Sequence, residues 1–362
     1  MSPLRPRPGI MEIAAYVGGE ATLPGKNHVI KLASNENPLG TSPKAVEAYR
    51  AAGDSLFVYP EGAATPLREA IGRQHGLDPA RIVCGAGSDE LLALLGRGYA
   101  GPGDEVIYSA HGFAMYPIIA RSVGALGVVA PETDLTANVD AILDCVTPRT
   151  RIVFLANPNN PTGSYLPASE MRRLREGLPE NVLLVVDAAY AEYVVRDDYD
   201  AGAELVDAYP NVVMCRTFSK IYGLASLRVG WAYCPSAIVE VLHRIRGPFN
   251  VSTPAIAAGT AAVADQEFAE RSRRHNQRWL EWTTHELKKL GLDVPPSVGN
   301  FVLVRFPDEP GRDAAAAVEC LNAQGIIPRR MGGYGLPDSL RITIGLEDDM
   351  RAVVEALSTL MK

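Results

Sequence analysis

Short apolar runs rich in β-branched residues recur along the middle of the chain, and segments with helical spacing lie between them, as at 88–97 and 168–176. The apolar runs lie at 81–84, 105–108, 126–129, 151–155, 182–186, 212–215 and 228–233. Strands that are apolar on both faces and alternate with helices are typical of a parallel sheet covered on both sides. The pattern therefore predicts an α/β fold built on a mostly parallel, seven-stranded sheet.

The pattern is different at both ends of the chain. Residues 1–40 are rich in proline and glycine and have little periodicity, so they predict an extended N-terminal arm. Residues 264–290 have the spacing of one long amphipathic helix, and shorter apolar runs alternate with helical segments after it. We therefore expect three parts, which are the arm, a large domain over 41–264 and a smaller α+β domain over 265–362.

Composition narrows the class of protein. The 362 residues are 47% hydrophobic and 21% charged, which is ordinary for a globular chain of two domains. The net charge of -7 argues against nucleic acid or a membrane surface as a partner, and no apolar run approaches the roughly 20 residues of a membrane span. The five cysteines and six histidines lack the spacing of metal ligands. With no secretion signal at the N-terminus, we expect a cytoplasmic protein without a metal site.

Lys220 carries the most specific candidate chemistry. It follows the apolar run at 212–215, with Thr217 and Ser219 just before it and Arg228 eight residues after it. A lysine amine can form a Schiff base with an aldehyde, and hydroxyl and guanidinium groups bind phosphate. An aldehyde and a phosphate on one small molecule describe pyridoxal 5′-phosphate. Taken alone, the segment is more simply explained as a solvated surface loop, and the other motifs of the chain decide against that explanation.

Three further motifs lie at the ends of predicted strands. The glycine-rich segment 85–90 leads into a helix and predicts a phosphate seat, although a simple helix cap would have the same residues. Segment 157–163 provides an asparagine for a phenolic oxygen, or only a tight turn. Asp187 ends a very apolar run and could hold the proton of a pyridine nitrogen, with Tyr190 nearby, or could cap a helix.

With these motifs in this order, the chain resembles the aspartate-aminotransferase-like, fold-type I enzymes that use pyridoxal phosphate, within aminotransferase class I/II. Within that family it resembles the histidinol-phosphate aminotransferase branch. The resemblance covers nearly the whole chain and is carried by Asn35-Glu-Asn-Pro38, Tyr59-Pro60, Gly87-Ser-Asp-Glu90, Asn159-Asn-Pro-Thr-Gly163, Arg216-Thr-Phe-Ser-Lys220, Gly325-Ile-Ile-Pro-Arg329 and Tyr334-Gly-Leu-Pro337. It implies a homodimer with shared active sites, in which the arm packs with the small domain and the partner subunit.

The resemblance also implies which residues hold the cofactor. Lys220 would bond to the aldehyde and shuttle a proton, Asp187 would pair with the pyridine nitrogen, and Tyr190 with Asn160 would bind the phenolic oxygen. The catalytic residues would be Lys220, Asp187 and Tyr190. The ring would stack on Phe113. The phosphate would be held by Gly87, Ser88, Asp89, Thr217, Ser219 and Arg228, together with Tyr59 from the partner subunit.

The same resemblance implies which residues bind the substrate. Arg341 would bind an α-carboxylate, and Arg329 would bind a second anion, although the adjacent Arg330 could take that place. Asn35 would also contact substrate, and Tyr16 on the arm would reach into the neighbouring subunit's site. The implied reaction is transamination of L-histidinol phosphate with 2-oxoglutarate in histidine biosynthesis. The alternatives are an aromatic amino-acid aminotransferase, for phenylalanine or tyrosine, and a lyase on the same scaffold.

Overall fold

The structure is a computed structural model that describes residues 4–26 and 28–362; Asn27 and the first three residues of the expected arm lie outside the described residues. Its strands are β1 Ile30–Lys31, β2 Ile82–Gly85, β3 Glu105–Ser109, β4 Leu126–Ala130, β5 Glu132–Thr133, β6 Thr136–Ala137, β7 Thr150–Ala156, β8 Leu183–Asp187, β9 Val212–Thr217, β10 Gly230–Tyr233, β11 Phe301–Arg305, β12 Ile326–Ile327, β13 Arg329–Arg330 and β14 Ser339–Thr343. Its α-helices are α1 Pro43–Ala51, α2 Thr65–His75, α3 Ser88–Tyr99, α4 Met115–Val123, α5 Val139–Asp144, α6 Ala168–Gly177, α7 Ala203–Ala208, α8 Ser236–Ile245, α9 Thr253–Ala264, α10 Gln266–Lys289, α11 Ala314–Ala323 and α12 Glu347–Leu360.

One seven-stranded sheet contains all seven of the apolar runs. Its strand order is β2-β10-β9-β8-β7-β3-β4, and every neighbouring pair is parallel except the two pairs that include β10. The connection from β9 to β10 contains only the short 3-10 turn Ala225–Leu227 and no crossover α-helix. The chain therefore turns back beside β9 and pairs antiparallel. The predicted α/β fold with a mostly parallel sheet is confirmed.

The central strands are buried on both faces because helices cover both sides of the sheet. Along β8, Leu184 and Val186 belong to one apolar core and Leu183 and Val185 belong to the other, as the two-residue period of a strand requires. Full burial of each such side chain stabilises the fold by about 1.5–3 kcal/mol. This double burial explains why the sequence has continuous apolar runs instead of an alternating pattern.

The C-terminal part of the chain forms a second, smaller assembly. Strands β11, β14 and β13 make an antiparallel sheet in that order, and its apolar core includes side chains of α10, α11 and α12. The long predicted helix is found as α10, which begins just after α9. Strand β1, from the expected arm, pairs in parallel with β12 and so joins this smaller assembly.

The direction of the strands creates one edge at which several loops meet. Strands β2, β3, β7, β8 and β9 run in the same direction, because β2 and β9 are each antiparallel to β10. The segments after these strands therefore lie along the carboxyl edge of the sheet, where ligands bind in open α/β sheets. Among the described helices, none is both long enough and apolar enough to cross a membrane.

Gly230, at the start of β10, allows the backbone to lie close to the segment before α3. A Cβ at this position would lie 2.4 Å from the Ser88 nitrogen and 2.9 Å from the Arg216 carbonyl oxygen. Because both are backbone atoms, we expect Gly230→Ala to lower the free energy of unfolding by about 1–3 kcal/mol. Urea denaturation measures this loss. Gly247→Ala is the matched control, since no atom lies within 4 Å of its Cβ, and equal stability of the two variants would contradict the steric argument.

Candidate active site

A cavity of about 190 Å³ lies at the carboxyl edge of the large sheet and also reaches β13 and β14 of the small sheet. Fourteen of the residues expected to bind cofactor or substrate line it: Tyr16, Asn35, Ser88, Asp89, Phe113, Asn160, Asp187, Tyr190, Thr217, Ser219, Lys220, Arg228, Arg329 and Arg341. They come from distant parts of the chain, so the fold brings together the groups that the motifs suggested. Within the described residues, no cluster of three or more His, Cys, Asp or Glu side chains could hold a metal.

The phosphate seat is the start of α3. Gly87 precedes the helix with a φ of 82°, and a Cβ there would lie 2.5 Å from a guanidinium nitrogen of Arg228, so glycine is required. Ser88 and Asp89 are the first two helical residues, and their free N–H groups and the helix dipole favour an anion. The loop is held by Glu90, whose carboxylate accepts hydrogen bonds from the Ala86 nitrogen at 2.6 Å and from an Asn250 amide at 2.7 Å.

Arg228 closes the other side of this seat. Its guanidinium donates to the Ser219 hydroxyl at 3.2 Å and to the Asp89 carboxylate at 3.0 Å. The Thr217 hydroxyl in turn donates to Ser219 at 3.0 Å. A carboxylate beside a phosphate would repel it, so the Asp89 side chain serves to hold Arg228, and its backbone N–H is the group available to an anion.

Asp187 ends β8 with its side chain in the cavity wall. Its Oδ2 atom accepts a hydrogen bond from the Tyr116 hydroxyl at 3.0 Å. Its Oδ1 atom is buried and has no hydrogen-bond partner in the described part of the chain. Burial raises the pKa of Asp187 from 3.8 to about 7, against the opposing effect of the Tyr116 hydrogen bond. A buried acceptor without a donor is the feature that a pyridinium N–H would satisfy.

Asn160 and Tyr190 present donors to the same cavity. The Asn160 carbonyl oxygen accepts a hydrogen bond from Arg341, so its NH₂ group is left to donate. The Tyr190 hydroxyl accepts from the Asn35 amide at 2.9 Å, which leaves its own hydrogen free to donate. Burial raises the pKa of Tyr190 to about 12, so this hydroxyl stays protonated. Both groups can therefore donate to a phenolic oxygen.

Asn35 lies behind Tyr190 as well as in the cavity wall. It is 1% exposed, and its backbone has a φ of 56°, which is unusual for a residue other than glycine. Its oxygen accepts from the Thr343 hydroxyl at 3.1 Å, and the Asn300 amide donates to its carbonyl at 3.0 Å. The Asn35 side chain therefore bonds to both Thr343 and Tyr190, and its amide orients the Tyr190 hydroxyl.

Lys220 follows β9 and extends its amine into the cavity. The amine donates to the Ser34 carbonyl at 3.1 Å and lies 5.6 Å from the centre of the Tyr190 ring. Burial, and after it the positive charge of Arg341, lower the pKa of Lys220 to about 8. A larger fraction of this amine than of an ordinary lysine is therefore uncharged near neutral pH, and the uncharged amine is the form that attacks a carbonyl carbon.

Two arginines form the wall opposite the large sheet. Arg329 and Arg341 are directly paired across the antiparallel strands β13 and β14, so their side chains share one face. Arg341 is buried and also donates to the Ala33 carbonyl at 2.7 Å. Arg330 is exposed and does not line the cavity, since neighbouring residues of a strand point to opposite faces. Arg329 is thus the residue of the two that the fold directs into the cavity.

Gly87 and Tyr59 do not line this cavity, whereas Tyr16 lines it from its own chain. Next to Tyr16, the Val17 carbonyl accepts a hydrogen bond from Arg329 at 2.6 Å. The expected roles of Tyr16 and Tyr59 in the partner subunit's site stay predictions. Gly87 shapes the phosphate seat without lining the cavity. Tyr59 lies away from this cavity, is 79% exposed and stacks on Phe249 with ring centres 4.7 Å apart.

The structure also places residues at the site that the motifs did not indicate. Tyr334 lines the cavity beside the two arginines, although it had appeared only as part of a family signature. Two further residues support the site without lining the cavity. Tyr116 bonds to Asp187, and Glu90 holds the phosphate seat. Tyr116 stands three residues after Phe113, which is the spacing of one helical turn and the only signal that could have suggested it.

The fold and the cavity together define an enzyme of the fold-type I class. The chain belongs to the aminotransferase class I and II family, whose model matches residues 27–357. The predictions of that family and of an aminotransferase are therefore confirmed.

Individual relatives agree with this family. The histidinol-phosphate aminotransferase of Paramagnetospirillum magneticum is 60% identical over 352 residues, which are 97% of this chain and 97% of the relative. That of Rhodospirillum rubrum is 60% identical over 357 residues, or 99% and 97% of the two chains. The crystal structure of histidinol-phosphate aminotransferase from Sinorhizobium meliloti in complex with pyridoxal 5′-phosphate is 30% identical, has a TM-score of 0.91 and covers 99% of this chain and 98% of its own.

The raised pKa of Asp187 predicts a pH-dependent stability for the protein without cofactor. Between pH 3.8 and about 7 the folded state keeps a proton that the unfolded state loses, so stability falls as pH rises. We expect apo Asp187→Asn, which cannot ionise, to be more stable than the unsubstituted apoprotein at pH 8. The difference in free energy of unfolding between the two proteins should be smaller at pH 5 than at pH 8 by about 3 kcal/mol, because a tenfold change in proton affinity is worth about 1.4 kcal/mol. Urea unfolding at both pH values measures it, and a constant difference would contradict the burial argument.

Proposed function

We propose that the chain uses pyridoxal phosphate to catalyse transamination between L-histidinol phosphate and 2-oxoglutarate in histidine biosynthesis, giving imidazole acetol phosphate and glutamate. The observation that carries the proposal is the pair of arginines, Arg329 and Arg341, that lie side by side on one face of the small sheet and line the same cavity as Asp187 and Lys220. The names of relatives that are 60% identical over nearly the whole chain support the substrate.

The residues of the cavity fit pyridoxal phosphate group by group. The unpaired Oδ1 of Asp187 would hold the proton of the ring nitrogen, and Phe113 would stack on the ring. Asn160 and Tyr190 would donate to the phenolic oxygen. The start of α3, with Arg228, would bind the phosphate. When bound, this cofactor supplies an electrophilic carbon and a ring that accepts electrons from the substrate.

Lys220 would move the proton in the reaction. Its amine, with a pKa lowered to about 8, takes a proton from the substrate Cα when it is uncharged and returns it afterwards. Asp187 keeps its negative charge opposite the ring nitrogen, which holds that nitrogen in its protonated form. Tyr190 remains a hydrogen-bond donor throughout, because its pKa is raised to about 12.

The two arginines would serve both substrates of the reaction. Histidinol phosphate carries a phosphate and no α-carboxylate, whereas glutamate carries two carboxylates. Guanidinium groups bind either anion with paired hydrogen bonds, so one cationic wall can accept the two substrates in turn. Tyr16 and Tyr334, which line the cavity near these arginines, would contact the rest of the substrate.

The active assembly would be a homodimer. Residues 56–59, Leu-Phe-Val-Tyr, are exposed, and Phe57 reaches 89% exposure, which is unusual for four consecutive large apolar or aromatic residues. A second copy covering this segment would bring Tyr59 to the partner's phosphate seat.

In the same proposal the chain divides into the arm 1–40, the large domain 41–264 and the small domain 265–362. The five free thiols support the cytoplasm as the compartment.

A half-reaction tests the proposed substrate. We expect the protein loaded with pyridoxal phosphate to be converted rapidly by L-histidinol phosphate and much more slowly by L-phenylalanine, as followed by the loss of cofactor absorbance in a stopped-flow instrument. Lys220→Ala should show no conversion with either substrate, since the group that moves the proton is gone. Faster conversion by phenylalanine would assign the protein to aromatic amino acids instead, and turnover by Lys220→Ala would remove the role of the lysine.

Arg329 and Arg330 offer a matched pair of variants. Arg329→Gln should lower kcat/KM for L-histidinol phosphate by about 10- to 100-fold, because it removes a charge-assisted hydrogen bond to an anion. Arg330→Gln, on the outward face of the same strand, should change it less than about twofold. Steady-state kinetics measures kcat/KM for both variants. An equal loss in the two would show that the reaction depends only on the overall positive charge and not on Arg329 in particular.

A further inference from the structure

Tyr116 is a completely buried residue whose hydroxyl reaches the cavity wall from behind. It is 0% exposed and donates a hydrogen bond of 3.0 Å to Oδ2 of Asp187. Because Oδ2 is occupied in this way, Oδ1 is the carboxylate oxygen left without a partner in the described structure. The hydroxyl of Tyr116 therefore occupies Oδ2 and leaves Oδ1 as the oxygen of Asp187 that can accept a further donor.

The ring of Tyr116 is held rigidly by its neighbours. It stacks on Phe154 of β7 with ring centres 4.9 Å apart and an angle of 3° between the planes. The edge of one ring meets the face of the other where Tyr116 packs on Phe113, at 5.8 Å and 88°. The Tyr116 nitrogen also donates to the Phe113 carbonyl at 3.0 Å. Tyr116, at the start of α4, thus contacts both Phe113, which would stack on the cofactor ring, and Asp187, which would pair with the ring nitrogen.

We propose that Tyr116 is a positioning residue that acts through Asp187, orienting the carboxylate and stabilising its charged form so that Oδ1 can hold the proton of the pyridine nitrogen. This inference rests on the proposed function, since it requires pyridoxal phosphate in the cavity. A hydrogen bond to a charged acceptor is among the stronger ones, and its loss would leave Oδ2 buried and unsatisfied. Tyr116 itself need not touch the cofactor or the substrate.

Binding of pyridoxamine 5′-phosphate to the full-length apoprotein tests the proposal without turnover. This probe has the ring nitrogen and the phosphate but no aldehyde, so it forms no bond with Lys220. We expect Tyr116→Phe to weaken its binding by about tenfold or more, measured by calorimetric titration, because one hydrogen bond to a charge is lost. Binding of inorganic phosphate, which needs only the phosphate seat, should change less than about twofold.

Two comparisons separate this role from a general effect on packing. Tyr108→Phe removes a hydroxyl from the same aromatic cluster, where the Tyr108 and Tyr116 ring centres are 6.4 Å apart, and should leave both affinities unchanged. In an Asp187→Ala background, Tyr116→Phe should have no further effect on pyridoxamine phosphate binding, since the residue through which it acts is absent.

The possible outcomes are distinct. Loss of affinity for pyridoxamine phosphate alone, abolished in the Asp187→Ala background, supports the proposal. An unchanged affinity in Tyr116→Phe, or an equal loss for inorganic phosphate, overturns it while the proposed function stands. If the unsubstituted apoprotein fails to bind pyridoxamine phosphate at all, the proposed function and this inference are both overturned.

Discussion

The site depends on a carboxylate that the fold buries at the end of its central strand. Asp187 is 5% exposed, and β8, which carries it, has both faces covered by apolar side chains. A charge in such a place is costly unless a donor compensates it, which is why its pKa rises to about 7 in the protein alone. Tyr116 donates to Oδ2 of Asp187, and Oδ1 has no hydrogen-bond partner among the described residues. A buried carboxylate oxygen without a donor is the feature that would favour the cationic ring nitrogen of the proposed cofactor.

The rest of the cavity is arranged around an excess of positive charge. Lys220, Arg228, Arg329 and Arg341 line it, against Asp89 and Asp187 on the negative side. Asp89 is already engaged by Arg228. Burial of the amine, and after it the positive charge of Arg341, lower the pKa of Lys220 to about 8. In the proposed function, a cation that would bind the anionic substrate would therefore also help to prepare the lysine as a base.

Two residues that line this cavity have an unusual backbone conformation. Asn35 and Arg228 both have left-handed backbone conformations, with φ values of 56° and 49°, although neither is glycine. Such conformations persist only where surrounding contacts hold them. Asn35 is held by Thr343 and Asn300, and it places its amide on Tyr190. Arg228 is held by Ser219 and Asp89, and it closes the phosphate seat. At this cavity, the two residues with a left-handed backbone are therefore ones whose side chains orient other groups of the site.

Much of this arrangement was predictable from local pattern. Each of the seven apolar runs became a strand, because side chains buried on both faces leave a continuous signal in the sequence. The motifs with Lys220, Asp187 and Asn160 stood at strand ends, and strands running in one direction bring their ends to one edge. The long helix α10, which precedes the small sheet, was predictable from its hydrophobic period, and it begins within two residues of its expected position.

The sequence by itself determined the fold class, the strand ends and the identity of the chemical groups, because hydrophobic period and residue type are local properties. Only the tertiary structure decided which groups act on one another. That Arg329 and not Arg330 faces the cavity follows from the register of β13 on β14. That Tyr116 reaches Asp187, and Asn35 reaches Tyr190, follows from contacts between residues 71 and 155 positions apart in the chain. Such contacts leave no local pattern, since they depend on how whole elements pack together.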